Sequence, residues 1–276
     1  MRRKEENTAE HKTEYFEDSD WLEIHYEAKK TQRAEHAELM DIRPHESVLD
    51  VGCGAGDWFP LLMQKNGFDG RITGVDPNQK ALDVASQRFP PDSYPKIKVQ
   101  NTRFENMAEE YKYDVVHFGN SLGYFTDLEK TIRKGLRMTN TGGRVIVRQY
   151  DDAFLQVGPI EEEMFSAVKL GVTKYMAKIT SDDFDHFGGR KVAALSEKFN
   201  PTTFNTNLLP FVFDGIPSKP QITYLKKQFL WMAEISEPYI DSKYTNDWRI
   251  WIEYMLGKHP KPIFVFEMEF LIHIDR

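Results

Sequence analysis

Between residues 46 and 150, short apolar runs alternate with amphipathic ones, and this alternation constrains the fold more than any other feature of the chain. "SVLDV" (47–51), "RITGVD" (71–76), "KIKVQ" (96–100), "YDVVHFG" (113–119) and "GGRVIVRQY" (142–150) read as strands. Helices are expected between them: over 57–66 with Asp57 as cap and Pro60 in the first turn, over 78–89 with Asn78 as cap, and over 127–138. Strands alternating with helices imply a parallel sheet covered on both faces, joined by right-handed crossovers. Outside this block, residues 20–40 read as a mostly charged helix ended by Pro44, and 159–177 and 246–256 read as helices. The segment "IFVFEMEFLIHI" (263–274) alternates, with Phe264, Phe266, Met268, Phe270, Ile272 and Ile274 on one face, and reads as a strand. Residues 178–235 mix Gly, Pro and Asn with aromatic segments and yield no assignment.

The length of 276 residues and 40% hydrophobic content suit one main core plus an elaboration. A net charge of −7 disfavours a nucleic-acid partner. Cys53 is the single cysteine, so neither a disulfide framework nor a Cys-rich metal site is available. Residues 1–14 are charged and lack the apolar stretch of a signal peptide, and no run approaches the roughly 18 apolar residues of a membrane span. The expectation is a soluble, cytoplasmic protein with no membrane partner.

"VLDVGCGAGDW" (48–58) places Gly52, Gly54 and Gly56 between the first strand and the first helix. Glycine there permits positive φ and removes the β-carbon, so a ligand can lie against bare backbone. In open parallel sheets ligands bind at the carboxyl ends of the strands, and the following helix offers unpaired N–H groups. A dinucleotide fingerprint, G-x-G-x-x-G, would need glycine at position 57. The residue there is Asp57, whose carboxylate would oppose a pyrophosphate. Asp76 ends the second strand, 20 residues after Gly56, where an acid can accept hydrogen bonds from both ribose hydroxyls. The same acid could equally cap the next helix.

"VLDVGCGAG", "GVDPN", "YDVVHFGNSLGYF" and "LRMTNTGGRVIV" occur in the order and spacing of class I S-adenosylmethionine-dependent methyltransferases, which residues 46–150 therefore resemble. The resemblance implies a Rossmann-like α/β fold: a doubly wound sheet of seven strands with the last antiparallel. It also implies S-adenosyl-L-methionine as cofactor. Gly52, Cys53, Gly54 and Gly56 would lie under its methionine part, Asp76 and Pro77 beside its ribose, and Thr102 and Arg103, after Asn101, beside its adenine. Gly119 and Asn120 would border the methyl-donor site. The chain then divides into an N-terminal tail and helical lid (1–45), the cofactor-binding core (46–150), a substrate-capping region with the remaining sheet elements (151–262) and the final strand (263–276).

"FGNSLGYF" and "VRQYDDAF" (147–154) further resemble small-molecule N-methyltransferases acting on glycine and sarcosine. The resemblance implies that Arg148 grips the carboxylate of an amino-acid-like acceptor, a task suited to a planar guanidinium fork. Gln149 stands where that group has Asn. The alternative for Arg148 is a structural pair with Asp151 or Asp152. "TQRAEHAEL" (31–39) resembles the helix whose arginine reaches the cofactor carboxylate, making Arg33 the candidate. Tyr15, Phe16 and Trp21 could supply an aromatic lid, since π faces suit a sulfonium. Tyr124 and Tyr150 could orient the acceptor. His117 and His186, the latter among the acids of "SDDFDHFGG", are the candidate bases. That acidic stretch lacks a closing Glu at calcium-loop spacing, so no metal is expected. Aromatics between 151 and 262 could wall an acceptor pocket, although most suit a core. Methylation of oxygen or carbon in a natural-product intermediate, or a catalytically silent cofactor-binding module, are the competing readings.

Overall fold

The computed structural model describes residues 19–67, 69–179, 183–200 and 203–276, without the side chains of residues 19, 20 and 22. The expected alternation is present. Strands β1 (Ser47–Val51), β2 (Arg71–Asp76), β3 (Ile97–Asn101), β4 (Tyr113–Gly119) and β5 (Thr139–Tyr150) run parallel in the order β3-β2-β1-β4-β5. Strand β8 (Ile263–Asp275) closes the series antiparallel to β5, with Arg148 opposite Leu271 and Tyr150 opposite Glu269. Two further strands pair with β8, the three-residue β6 (Gln156–Gly158) and β7 (Phe204–Gly215). The seven expected strands are thus joined by a short eighth.

Two compact units are distinguished. One contains Thr31–Tyr150, Gly188–Leu209 and Glu269–Arg276. It holds β1 to β5, the end of β8, and helices α2 (Phe59–Asn66), α3 (Gln79–Arg88), α4 (Leu128–Arg137) and α6 (Gly188–Ala193). Its core packs Met40, Val48, Phe59, Leu62, Ile72, Ile146 and Leu271. The other contains the described residues up to Lys30, Asp151–Phe187 and Pro210–Met268. Helices α5 (Glu162–Met176), α7 (Lys219–Ser236) and α8 (Ser242–Leu256) form its centre, around Val168, Phe229 and Trp248. Helix α1 (Ser19–Leu39) runs through the boundary at Lys30.

Local chemistry explains the helix starts. Asn78 Oδ1 accepts from the Ala81 amide and Asp127 Oδ1 from the Lys130 amide, meeting N–H groups that have no partner within the helix. Ser218 and Gln221 make a capping box at α7. Helix α2 departs from expectation. Its N-cap is Trp58, with no side-chain cap, and Asp57 instead accepts from Arg88 at 2.6 Å. Pro60 still occupies the first turn, where its missing N–H costs nothing. No described helix is long and apolar enough to cross a membrane.

Strand β8 is buried on both faces over most of its length. The expected apolar face is present, apart from the 42% exposed Phe264. The opposite face carries Glu267 and Glu269, both fully buried, and each is met by a buried cation. Of the aromatics expected to wall a pocket, Phe211, Phe213, Tyr224, Phe229, Trp231 and Trp248 are core.

Candidate cofactor site

The glycine loop lies at the carboxyl end of β1. Gly52, Gly54 and Gly56 have φ of +72°, +52° and +76°. At Gly52 the requirement is double, because a β-carbon would also lie 2.5 Å from Ser121 Cβ. Ser121 is held there by its hydroxyl, which donates to the Val51 carbonyl at 2.6 Å. This serine was not singled out by the sequence, although it lies in the "GNSLGY" stretch after β4.

Asp76, at the end of β2, is tied to the loop. Its Oδ2 accepts from the Gly54 amide at 3.0 Å and its Oδ1 from the Asn78 amide at 2.8 Å. A carboxylate offers about four lone-pair sites, so two remain for hydroxyls of a ligand. Burial raises the Asp76 pKa, the two amides pull it back, and nearby Asp50 adds to the rise. Burial likewise pushes the Cys53 thiol well up, helped by Asp50 and Asp76, so Cys53 is a neutral packing group. Thr102, whose amide donates to the Asp76 carbonyl, and exposed Pro77 and Arg103 border the same strand ends.

At the end of β4, Gly119 leaves room for an indole. A β-carbon there would meet Trp58 Nε1 at 2.7 Å and His117 Cε1 at 2.8 Å. Asn120 follows in the left-handed region, φ +60°. Its amide donates to the Arg148 carbonyl and its Oδ1 accepts from the Tyr150 amide, both at 2.7 Å. Asn120 therefore joins the ends of β4 and β5. Tyr150 is half-buried, and Tyr124 is 38% exposed.

Arg148 lies in the interior near the end of β5. It is fully buried and ion-paired with Glu269, one step diagonally across β5 and β8. Its guanidinium lies 4.6 Å from the centroid of Trp58, and Arg33 lies 5.4 Å from the same ring. Burial lowers the Arg148 pKa to about 10, against the pull of Glu269 and with a further push from Arg33. One carboxylate that meets Arg148, that of Glu269, thus comes from the chain itself. Arg33, the candidate for the cofactor carboxylate, is buried at 5% exposure beside Trp58.

Both candidate bases are buried in His–Asp pairs. His117 Nδ1 is 2.8 Å from Asp50 Oδ1, and the two are partners across β1 and β4. His186 is buried although it lies in an acidic stretch. Its Nδ1 is 2.7 Å from Asp152 Oδ2 and its ring stacks on Trp231 at 4.3 Å. Trp21 is buried and stacks on Tyr224, while Tyr15 and Phe16 lie outside the described residues.

The residues of the loop fit an adenosine-type ligand with a flexible tail: bare, partly exposed backbone at Gly52 and Gly54, and a carboxylate with lone pairs to spare. Comparison with known proteins agrees. The family described as "Methyltransferase domain" matches residues 42–229. A demethylmenaquinone methyltransferase of Bacillus mycoides is 28% identical over 124 residues, 45% of this chain and 52% of that protein. The chain spans about half the length of the curated relatives it matches. Among solved structures, a cyclopropane-fatty-acyl-phospholipid synthase-like protein of Lactobacillus casei has a TM-score of 0.54 at 14% identity, covering 88% of this chain and 90% of that one. The YcgJ protein of Bacillus subtilis has a TM-score of 0.53 at 13% identity, covering 90% and 98%. These structural likenesses concern the fold.

Proposed function

The chain belongs to the methyltransferase-domain family, and from that membership we propose that it is an enzyme carrying the methyl group of S-adenosylmethionine to a small-molecule acceptor. The single observation that carries this reading is the junction of the Gly52–Gly56 loop with Asp76 through the Gly54 amide. When bound, the cofactor supplies an electrophilic methyl group on a sulfonium. Gly52 and Gly54 would hold its methionine part against bare backbone, and Asp76 would accept from its ribose. Thr102 and Arg103 would flank the adenine. Gly119 and Asn120 would border the donor carbon. The chain's contribution to rate is alignment and exclusion of water, because the donor is already reactive.

For the acceptor we propose an amine nitrogen, on the likeness of the stretches around Asn120 and Tyr150 to the glycine and sarcosine group. An acceptor carboxylate is not required, since Arg148 is already neutralised by Glu269. That same pair favours, as a second reading, an oxygen or carbon acceptor on a larger apolar molecule. The test is transfer of isotope-labelled methyl from S-adenosylmethionine to a panel of amines, amino acids and phenols, read by mass spectrometry beside Asp76→Asn. Labelled N-methyl product that disappears in Asp76→Asn supports the proposal. Product on oxygen or carbon alone moves the reading to the second, and cofactor binding without any product refutes turnover.

A further inference from the structure

Lys29 on α1 is a buried cation within the unit built on α5, α7 and α8. Its side chain is fully buried, and it is ion-paired with Glu267, whose side chain is buried to the same degree. The ammonium lies 4.6 Å from the ring centroid of Phe211 and 4.7 Å from that of Tyr224. The Tyr224 hydroxyl donates to Glu267 Oε1 at 2.8 Å. A carboxylate and two π faces around one nitrogen is the arrangement that recognises alkylammonium ions.

The walls and the occupant come from different parts of the chain. Phe211 is on β7, Tyr224 on α7 and Glu267 on β8, whereas the occupant is borne by α1. Stability alone does not account for the pair. Desolvation of two charges roughly offsets their attraction, and apolar side chains of similar volume commonly do as well. A lysine on a helix also ordinarily extends its head to water. Burial raises the Glu267 pKa, while Lys29 and the Tyr224 hydrogen bond lower it. A cage emptied of Lys29 would therefore tend to neutralise Glu267 unless another cation entered.

We propose that Phe211, Tyr224 and Glu267 form an ammonium-binding cage in which Lys29 is a built-in plug, displaced by a small molecule bearing an alkylammonium group. Identifying that molecule as the methyl acceptor, entering in its protonated form, rests on the amine reading above. The cage itself does not. Lys29 and the ligand compete for one carboxylate, so the ligand's apparent affinity is lowered by the fraction of molecules that are plugged.

The test is hydrogen–deuterium exchange of residues 21–30 in the wild-type protein, read by mass spectrometry. The probe is n-butylammonium chloride, the free analogue of a lysine side chain, against sodium butyrate and sodium chloride at matched ionic strength. A saturable rise in exchange with n-butylammonium alone is expected. Lys29→Met should bind the probe at least about tenfold more tightly, because the competing plug is gone, and Lys29→Met/Glu267→Gln should lose that binding. A wild-type helix indifferent to the probe overturns the plug, whatever Lys29→Met binds. A helix that opens to n-butylammonium while no amine is methylated keeps the cage and refutes the amine reading of the reaction.

Discussion

Arg148 and Glu269 neutralise one another in the interior, diagonally across β5 and β8, with neither side chain reaching solvent. Removing one partner leaves an uncompensated buried charge, which costs about 3–5 kcal/mol. Arg148→Met and Glu269→Leu should each lower stability by that order in urea denaturation. The double substitution should recover most of the loss, because both charges leave together. A double variant no more stable than either single one would mean that the pair is not isolated from other charges. The same pairing predicts that Arg148→Ala acts on the fold rather than selectively on the KM of carboxylate-bearing acceptors.

Gly52 and Gly67 share a positive φ but not a neighbourhood. A β-carbon at Gly67 meets nothing within 4 Å, whereas at Gly52 it lies 2.5 Å from Ser121 Cβ. Gly67→Ala should cost only the backbone strain of a side chain at φ +71° and ψ −175°, about 1–3 kcal/mol. Gly52→Ala should cost more, since Ser121 is pinned by its bond to Val51, and should abolish binding of S-adenosylhomocysteine in calorimetry. Equal destabilisation by the two would show that Ser121 gives way.

Much of this architecture is legible in the sequence because the local signals are strong and agree. β1, β2 and β4 occupy the residues expected of them, each an apolar run bounded by Gly, Asp or a charged turn. What is not legible depends on partners distant in the chain. Asp57 has the composition of a cap, but Arg88 takes its carboxylate. β7 escapes the pattern because its first half, "FNTNL", is polar and Pro210 interrupts it; burial alternates only through Leu209, Phe211 and Phe213. Proline is tolerated where a strand's N–H is not needed by a neighbour, and among the described strands β7 pairs only with β8. The acids of "FEMEF" fall on the alternate face of β8. Alternation reveals that they share a face, but only the packed structure reveals that Lys29 pairs with Glu267 and Arg148 with Glu269. Trp58 was likewise silent, since nothing local to "GAGDW" shows two guanidiniums against its ring.

Asp76 gives cofactor binding a definite pH dependence. Its pKa is raised by burial, so in the ligand-free protein the carboxyl takes up a proton at a pH above the ordinary aspartate value of about 3.9. Accepting from ribose hydroxyls favours the ionised form. Affinity for S-adenosylhomocysteine should therefore be constant at neutral pH and fall as pH drops through that raised value, with uptake of one proton on release. Calorimetry in buffers of different ionisation enthalpy measures that proton. Asp76→Asn should bind more weakly and lose the acid limb. An acid limb that persists in Asp76→Asn would assign it to another group.

Asn120 holds a left-handed backbone while its side chain accepts from the Tyr150 amide, so two costs can be separated by substitution. Asn120→Ala leaves the Tyr150 N–H without this acceptor, at about 1–3 kcal/mol, and adds a backbone penalty that Asn tolerates better. Asn120→Gly loses the same acceptor but relaxes the backbone. Asn120→Gly should therefore be the more stable of the two, against the usual order in which alanine outlasts glycine. Both should lower kcat/KM for methyl transfer by about tenfold or more, equivalent to about 1.4 kcal/mol, because the ends of β4 and β5 that border the donor are no longer joined. Urea denaturation beside the labelled-methyl assay reads both quantities. Equal stability of the two variants would show that no strain is held at position 120, and unchanged turnover would release Asn120 from any positioning role.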